Sequence, residues 1–97
     1  MEYTICKAIQ DRRLLHFYYG NYPRTVEPYL VGTTTAGNAA LRCYQISSGS
    51  ASGDVPGWRL FLISEMKYVL AQEASFVPRE SEYVRGDSQM TTIVCAI

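Results

Sequence analysis

The stretch YPRTVEPYLVG, residues 22–32, decides the fold, because it has the composition of a β-strand yet carries charges and prolines. Alternation along a strand predicts that Val26 and Leu30 point into the core, on the face that also carries Arg24. Proline has no N–H to give to a neighbouring strand, so Pro28 predicts either an edge position or a β-bulge. We therefore interpret the segment as a strand of a small sheet with an irregularity at Pro28.

The flanking segments predict further short strands. The Gly-Asn pair at 20–21 is a two-residue turn signal for a hairpin. Residues 39–47 alternate in polarity, so we expect Leu41, Cys43 and Gln45 on one face. The predicted strands are residues 14–19, 22–32, 39–47 and 58–64, with a further strand in the terminal segment 90–97.

Residues 4–13 predict a helix. Ile5, Ala8 and Ile9 recur at helical spacing and form an apolar stripe that a sheet is expected to cover. Thr4 is expected to cap the first turn with its hydroxyl.

Two later segments are less regular. Residues 48–57 are rich in glycine and serine and predict a flexible loop. Residues 65–76 leave two alternatives open. One is a helical turn near Glu65–Tyr68 followed by a strand that ends near Phe76, and the other is a continuous short helix.

Composition limits the class of protein. The 97 residues suffice for one small domain, and the net charge of zero argues against bulk attraction to nucleic acid or anionic lipid. The three cysteines are odd in number and widely spaced, which fits neither a disulfide framework nor a zinc site. Because the N-terminal residues also lack a secretory pattern, we expect a reducing cytoplasm.

One helix followed by four or five short strands predicts a mainly β domain, an SH3-like or Sm-like small β-barrel. The helix occupies residues 1–13 and the barrel core residues 14–76. A C-terminal extension with a terminal strand occupies residues 77–97.

A set of residues in this order also matches a known family. The matching residues are Ala8, Ile9, Tyr18, Tyr19, Arg24, Val26, Glu27, Pro28, Leu41, Arg59, Phe61 and Ile63. The pattern resembles the WYL domain, a small SH3-like barrel found in bacterial regulators, over about residues 5–76. The family's Trp-Tyr-Leu signature falls on residues 39–41, where only Leu41 is kept. The resemblance implies a divergent, stand-alone module that senses a ligand or nucleic acid through basic residues.

Three arginines lie one on each of three successive predicted strands: Arg24, Arg42 and Arg59. If the barrel closes, two or three of them converge at one rim, where guanidinium groups hold phosphate or carboxylate through charge-assisted hydrogen bonds. Arg59 carries more weight because it stands at the family's Arg-x-Phe position. Gln45 and Tyr44 are further candidates for hydrogen bonds to a polar ligand beside the arginines.

The competing interpretation is that these arginines form surface ion pairs of little energetic weight. Arg24 would then pair with Glu27, or Arg59 with Glu65. A regular strand places Glu27 on the face opposite Arg24, which disfavours the first pair. For a single exposed arginine the ordinary surface role is the commoner one, and for Arg59 the two interpretations are balanced.

The sequence offers no nucleophile–base arrangement, and with His16 as the one histidine it falls short of a metal site. We therefore expect no catalytic residues, no metal ligands and no cofactor. The leading interpretation is a non-enzymatic sensing or regulatory domain. Its expected ligand is anionic, a nucleotide or a short single-stranded nucleic acid.

A function of a different class stays open. Residues 89–97 are rich in β-branched side chains, and such a strand can pair edge to edge with a second copy or with a partner protein. The protein would then be an interaction or oligomerisation subunit. No membrane partner is expected, since no apolar stretch is long enough to cross a bilayer.

Overall fold

The computed structural model describes residues 2–48, 56–83 and 87–97 of the chain. Its elements are α1 (Glu2–Gln10), β1 (Arg13–Tyr19), β2 (Tyr22–Thr34), β3 (Ala39–Ser48), β4 (Gly57–Leu62), a 3₁₀ turn (Ile63–Glu65), β5 (Lys67–Ser75) and β6 (Met90–Ala96). The prediction of a mainly β domain with one short N-terminal helix is confirmed. Most of the loop predicted at 48–57 lies outside the described residues. In the described ranges, no helix has the length and apolar character needed to span a bilayer.

α1 begins two residues earlier than predicted, so Thr4 lies inside its first turn and does not cap it. Ile5, Ala8 and Ile9 are buried, as their spacing predicted. The helix ends where Arg12 adopts a left-handed φ of 56° and donates from its guanidinium to the carbonyl of Ile9 at 2.7 Å. This hydrogen bond satisfies one of the carbonyls that a helix end leaves free, and the chain turns directly into β1.

β1 and β2 form the hairpin that the Gly-Asn pair predicted. Gly20 and Asn21 have φ angles of 59° and 68°, which suit a two-residue turn of type I′. Tyr19 and Tyr22 face each other across this turn. The tight turn fixes the register of the two strands.

β2 is the central strand of the sheet. Along one edge of β2, the first half of the strand pairs with β1 and the second half with β6. Along the other edge β2 pairs with β3, which in turn pairs with β4. β5 pairs with the far edge of β1. Pro28 lies opposite Cys43 and Leu30 lies opposite Arg42, so Tyr29 is an extra residue on β2. The predicted β-bulge beside Pro28 is therefore confirmed.

The bulge reverses the alternation of side chains along β2. Val26 and Val31 belong to the hydrophobic core, whereas Leu30 is buried outside that cluster. The prediction that Leu30 shares the core face of Val26 is wrong for this reason.

The hydrophobic core lies between α1 and one face of the sheet, here called the inner face; the opposite side is the outer face. Its buried residues are Ile5, Ala8, Ile9, Leu15, Phe17, Val26, Val31, Leu41, Cys43, Phe61, Ile63 and Met66. The continuous helix considered for residues 65–76 is wrong, since β5 pairs with β1 there. β4 and β5 share no ladder within the described ranges, so the closed SH3-like barrel stays a prediction.

Cys6 on α1 and Cys95 on β6 form a disulfide, with Cα atoms 5.9 Å apart and a sequence separation of 89. The spacing of the cysteines, which fitted no disulfide framework, did not indicate this bond. Two cysteines 89 residues apart give no local sequence signal for a bond. They meet because β6 returns to the side of β2 and so comes close to α1. Cys43 is a free thiol, buried in the core.

Candidate functional site

The five candidate residues fall on two faces of the sheet. Residues directly opposite each other in an antiparallel pair share a face. Gln45 lies opposite Val26, and Arg59 lies opposite Cys43, so both candidates are on the inner face. Arg24, two residues before Val26 on β2, is on the same face.

Arg24 and Gln45 are bonded side chain to side chain. Nη1 of Arg24 donates to Oε1 of Gln45 at 3.4 Å, and Nη2 donates to the backbone carbonyl of Tyr19 at 3.2 Å. The guanidinium carbon also lies 5.6 Å from the ring centroid of Phe61, close enough for a cation–π contact. Because Gln45 accepts through Oε1, its amide nitrogen points away from Arg24.

Two donors of this pair lack a partner in the part of the chain that the structure describes. Nε of Arg24 and Nε2 of Gln45 are buried, and neither finds a hydrogen-bond acceptor among the described residues. Gln45 as a whole is only 1% exposed. A buried donor left unpaired costs about 1–3 kcal/mol. An acceptor oxygen within hydrogen-bond distance of these atoms would recover that cost.

Arg59 adds a second guanidinium beside Gln45. Gly57 lies directly opposite Gln45, and Nη1 of Arg59 lies 2.8 Å from the place where a Cβ on Gly57 would stand. The absence of a side chain at Gly57 thus makes room for the guanidinium, whose Nη1 donates to the Trp58 carbonyl at 3.0 Å. In the described ranges neither Arg24 nor Arg59 forms an ion pair.

Arg42 lies on the outer face, where it is held by an acid. Its Nε donates to Oδ2 of Asp87 at 2.7 Å and its Nη2 donates to Oδ1 at 3.4 Å. Nη2 also donates to the side chain of Gln89. The hydrogen bonds from Arg42 lower the pKa of Asp87, and this effect outweighs the burial that raises it. The structure therefore does not bring Arg42 together with the inner-face arginines.

Tyr44 lies on the outer face beneath Arg79, a residue that the sequence analysis did not single out. The guanidinium carbon of Arg79 is 3.8 Å from the ring centroid of Tyr44, and its Nε and Nη2 donate to the Glu27 carboxylate at 3.0 and 3.3 Å. The Tyr29 hydroxyl donates to Glu27 at 3.0 Å and accepts the Arg79 backbone N–H at 2.8 Å. Burial raises the pKa of Tyr29 to about 12. This cluster fastens the chain after β5 to the sheet.

Aromatic rings surround the same cluster. Trp58, Phe76 and Tyr83 lie with ring centroids 4.8, 5.5 and 5.0 Å from that of Tyr29. The sequence analysis made no use of segment 76–83, although its combination of aromatic residues with an arginine is a signal for such a contact. Aromatic faces and guanidinium groups attract one another.

Metal ligands are not clustered in the part of the chain that the structure describes. No group of three or more His, Cys, Asp or Glu side chains there could hold an ion. Nδ1 of His16 instead lies 3.2 Å from the Thr25 hydroxyl, in a hydrogen bond across the hairpin.

Comparison with protein-family models, with curated proteins and with solved structures gives no match to this chain. The case for a function therefore rests on the geometry and chemistry of the inner-face residues.

Proposed function

We propose that this protein is a non-enzymatic, WYL-like regulatory domain that binds an anionic ligand on the inner face of its sheet. The observation that carries the proposal is the pair of buried donors, Arg24 Nε and Gln45 Nε2, without acceptors among the described residues. The Arg59 guanidinium, which lies at Gly57 opposite Gln45, is a second cation on the same face. The resemblance of the sequence to WYL domains supports the same assignment.

Phosphate suits this arrangement better than a neutral group does. Its oxygens accept several hydrogen bonds at once, and the planar fork of arginine matches their geometry. We therefore propose a nucleotide or a short single-stranded nucleic acid as the ligand. The net charge of zero favours a short ligand held by specific contacts over a long polyanion held by bulk attraction.

Arg42 and Tyr44 stand outside this proposed site. Arg42 is bound to Asp87, and Tyr44 lies beneath Arg79. A ligand that used them would first have to displace these partners.

Calorimetric titration tests the proposal. Inorganic phosphate, AMP and a five-nucleotide DNA are titrated into wild type, Arg24→Ala, Arg59→Ala and the control Arg13→Ala, which removes an exposed arginine of β1. We expect binding to weaken at least tenfold in the first two variants and to stay unchanged in the control. Circular dichroism checks that each variant is folded. Equal affinity of all four proteins, or no binding by wild type, contradicts the proposal.

β6 supports a second candidate function, association through a sheet edge. β6 pairs with β2, and no other described strand pairs with it. Ile93 and Val94 on this strand are 47% and 54% exposed. An apolar edge strand is a template for a second copy or a partner protein. Light scattering of wild type, Val94→Lys and the control Val77→Lys, which changes an exposed valine outside the strands, tests self-association. A monomeric wild type at every concentration contradicts it.

The cytoplasm is the proposed compartment, and the disulfide gives it a direct test. Structural disulfides are rare where glutathione and thioredoxin keep thiols reduced. The proposal therefore predicts that Cys6 and Cys95 are reduced in living cells. Trapping thiols with an alkylating agent before lysis, followed by mass spectrometry, measures this. A fully bonded pair in cells contradicts the cytoplasmic assignment.

A further inference from the structure

A cleft of about 510 Å³ opens beside the β1–β2 turn, apart from the inner-face residues described above. It lies between that turn and residues 64–68, which run from the 3₁₀ turn into the start of β5. The side chains that line it are Tyr18, Asn21, Ser64, Glu65, Lys67 and Tyr68. Its volume is within the range of small-molecule sites.

Tyr68 has an unfavourable backbone conformation at the wall of this cleft. β5 carries an extra residue between the pairs Tyr18–Lys67 and His16–Leu70, and Tyr68 has a φ of 56° in this bulge. Glycine adopts such a left-handed conformation freely, whereas a bulky side chain adopts it at a cost in free energy. The position therefore favours glycine, yet it holds a tyrosine.

Burial does not compensate for this cost. Tyr68 is 80% exposed, and its ring meets that of Tyr18 edge to face, with centroids 6.0 Å apart at 88°. An edge-to-face contact leaves an aromatic face open to solvent. Strained backbone that gains no stabilising burial is typical of ligand sites.

We propose that this cleft binds a nucleobase stacked on the Tyr68 ring. Stacking on tyrosine suits any base, because every base has a π-face. The Asn21 amide and the Ser64 hydroxyl each offer a donor and an acceptor, which is the mixture that a base edge presents. Glu65 and Lys67 carry opposite charges, so the lining of the cleft has no net charge from this pair. Such a cleft suits an uncharged ring better than a phosphate.

The inference rests on the proposed function for its ligand class and adds a second subsite to it. Tyr18 and Tyr19 are consecutive on β1 and point to opposite faces. Tyr18 lines the cleft, while the backbone carbonyl of Tyr19 accepts a hydrogen bond from Arg24 at 3.2 Å. The cleft and the anion site thus lie on opposite faces of the hairpin, near its turn. The cleft is therefore a separate subsite for a base and does not share one phosphate with Arg24.

Adenosine, which has no phosphate, tests the cleft separately from the anion site. Calorimetric titration is expected to show binding to wild type, similar binding to Tyr68→Phe, which keeps the ring, and at least tenfold weaker binding to Tyr68→Gly. The Tm of Tyr68→Gly should equal or exceed that of wild type, because glycine relieves the strained φ. The control is Tyr3→Ala, which removes an exposed tyrosine of α1 and should leave binding unchanged.

A second variant, Tyr18→Ala, removes the other ring and should also weaken binding at least tenfold. Adenosine bound equally by wild type and by both ring-deleted variants overturns the inference. Arg24-dependent binding of inorganic phosphate without binding of adenosine overturns the cleft and leaves the proposed function standing. Tyr68-dependent binding of adenosine without binding of phosphate supports the cleft and overturns the anion site.

Discussion

Arg79 and Glu27, 52 residues apart in sequence, form a two-point ion pair on the outer face of the sheet. Glu27 is buried on β2, and Arg79 approaches it from the segment that follows β5. The same guanidinium covers the ring of Tyr44. A single side chain therefore neutralises a buried carboxylate and closes the outer face over the centre of the sheet.

Arg79→Ala should destabilise the protein clearly more than its control does, because it leaves the buried Glu27 carboxylate without its cation and removes the contact with Tyr44. Urea denaturation followed by circular dichroism measures the change. Arg13→Ala is the matched control, and its effect should stay within about 0.5 kcal/mol because Arg13 is exposed. Equal losses in the two variants contradict the assigned role of Arg79.

The ion pair between Asp87 and Arg42 should make stability depend on pH in the acid range. The pKa of Asp87 is lowered in the folded protein from its ordinary 3.8, so its contribution is fully present above that value and is lost as the pH falls toward the folded pKa. The difference in free energy of unfolding between wild type and Asp87→Asn should therefore be largest near neutral pH and shrink below about pH 4.

The exposed pair between Lys7 and Asp11 supplies the control for this experiment. Asp11→Asn should change stability by no more than about 0.5 kcal/mol at any pH, since a surface pair contributes little. A difference between wild type and Asp87→Asn that stays constant from neutral to acid pH contradicts the role given to Arg42.

Reduction of the Cys6–Cys95 bond should lower the free energy of unfolding by about 4 kcal/mol, because a bridge across so long a loop restricts the unfolded chain strongly. Denaturant titration with and without reductant measures the change, and Cys95→Ser should reproduce the reduced state. Cys43→Ala keeps the bridge and should respond to reductant as wild type does. A denaturation midpoint that is indifferent to reductant contradicts the bond.

Cys43 should be inert to alkylation in the folded protein. Its side chain is buried in the core, and burial raises the pKa of its thiol, so that little thiolate is present. Its labelling by iodoacetamide should proceed only through opening of the core, whereas Cys6 and Cys95, once reduced, should react faster because both are partly exposed. Comparable labelling rates at all three positions contradict this prediction.

Much of the fold could be predicted from the spacing of apolar residues within each segment. Alternation on β3 placed Leu41, Cys43 and Gln45 on the inner face, where all three are buried. The existence of the bulge was predictable but its position was not. Pro28 indicated an irregularity, whereas the pairing with β3 decides which residue of β2 has no residue opposite it. That residue is Tyr29, and the sequence of β2 alone does not mark it.

The candidate site was harder to predict than the fold, because some of its contacts join residues that are far apart in sequence. Arg24 and Gln45 meet because adjacent antiparallel strands present both to the core face, which alternation on each strand indicates. Alternation also puts Arg42 on the outer face, because its neighbours Leu41 and Cys43 are on the inner face. Its partner Asp87 lies 45 residues further along the chain and leaves no periodic signal near Arg42. The competing pair of Arg24 with Glu27 does not form, because Glu27 lies on the outer face and is paired with Arg79.

The bond between Cys6 and Cys95 also determines how the molecule would carry a mechanical load. The strands β1 to β5, the central strand among them, lie within the loop that the bond closes. A pulling force applied at the two ends of the chain would travel through the sulfur atoms and bypass the hydrogen bonds of the sheet. After reduction the same force would fall on the ladder between β2 and β6, so one covalent bond decides whether the sheet is shielded from tension.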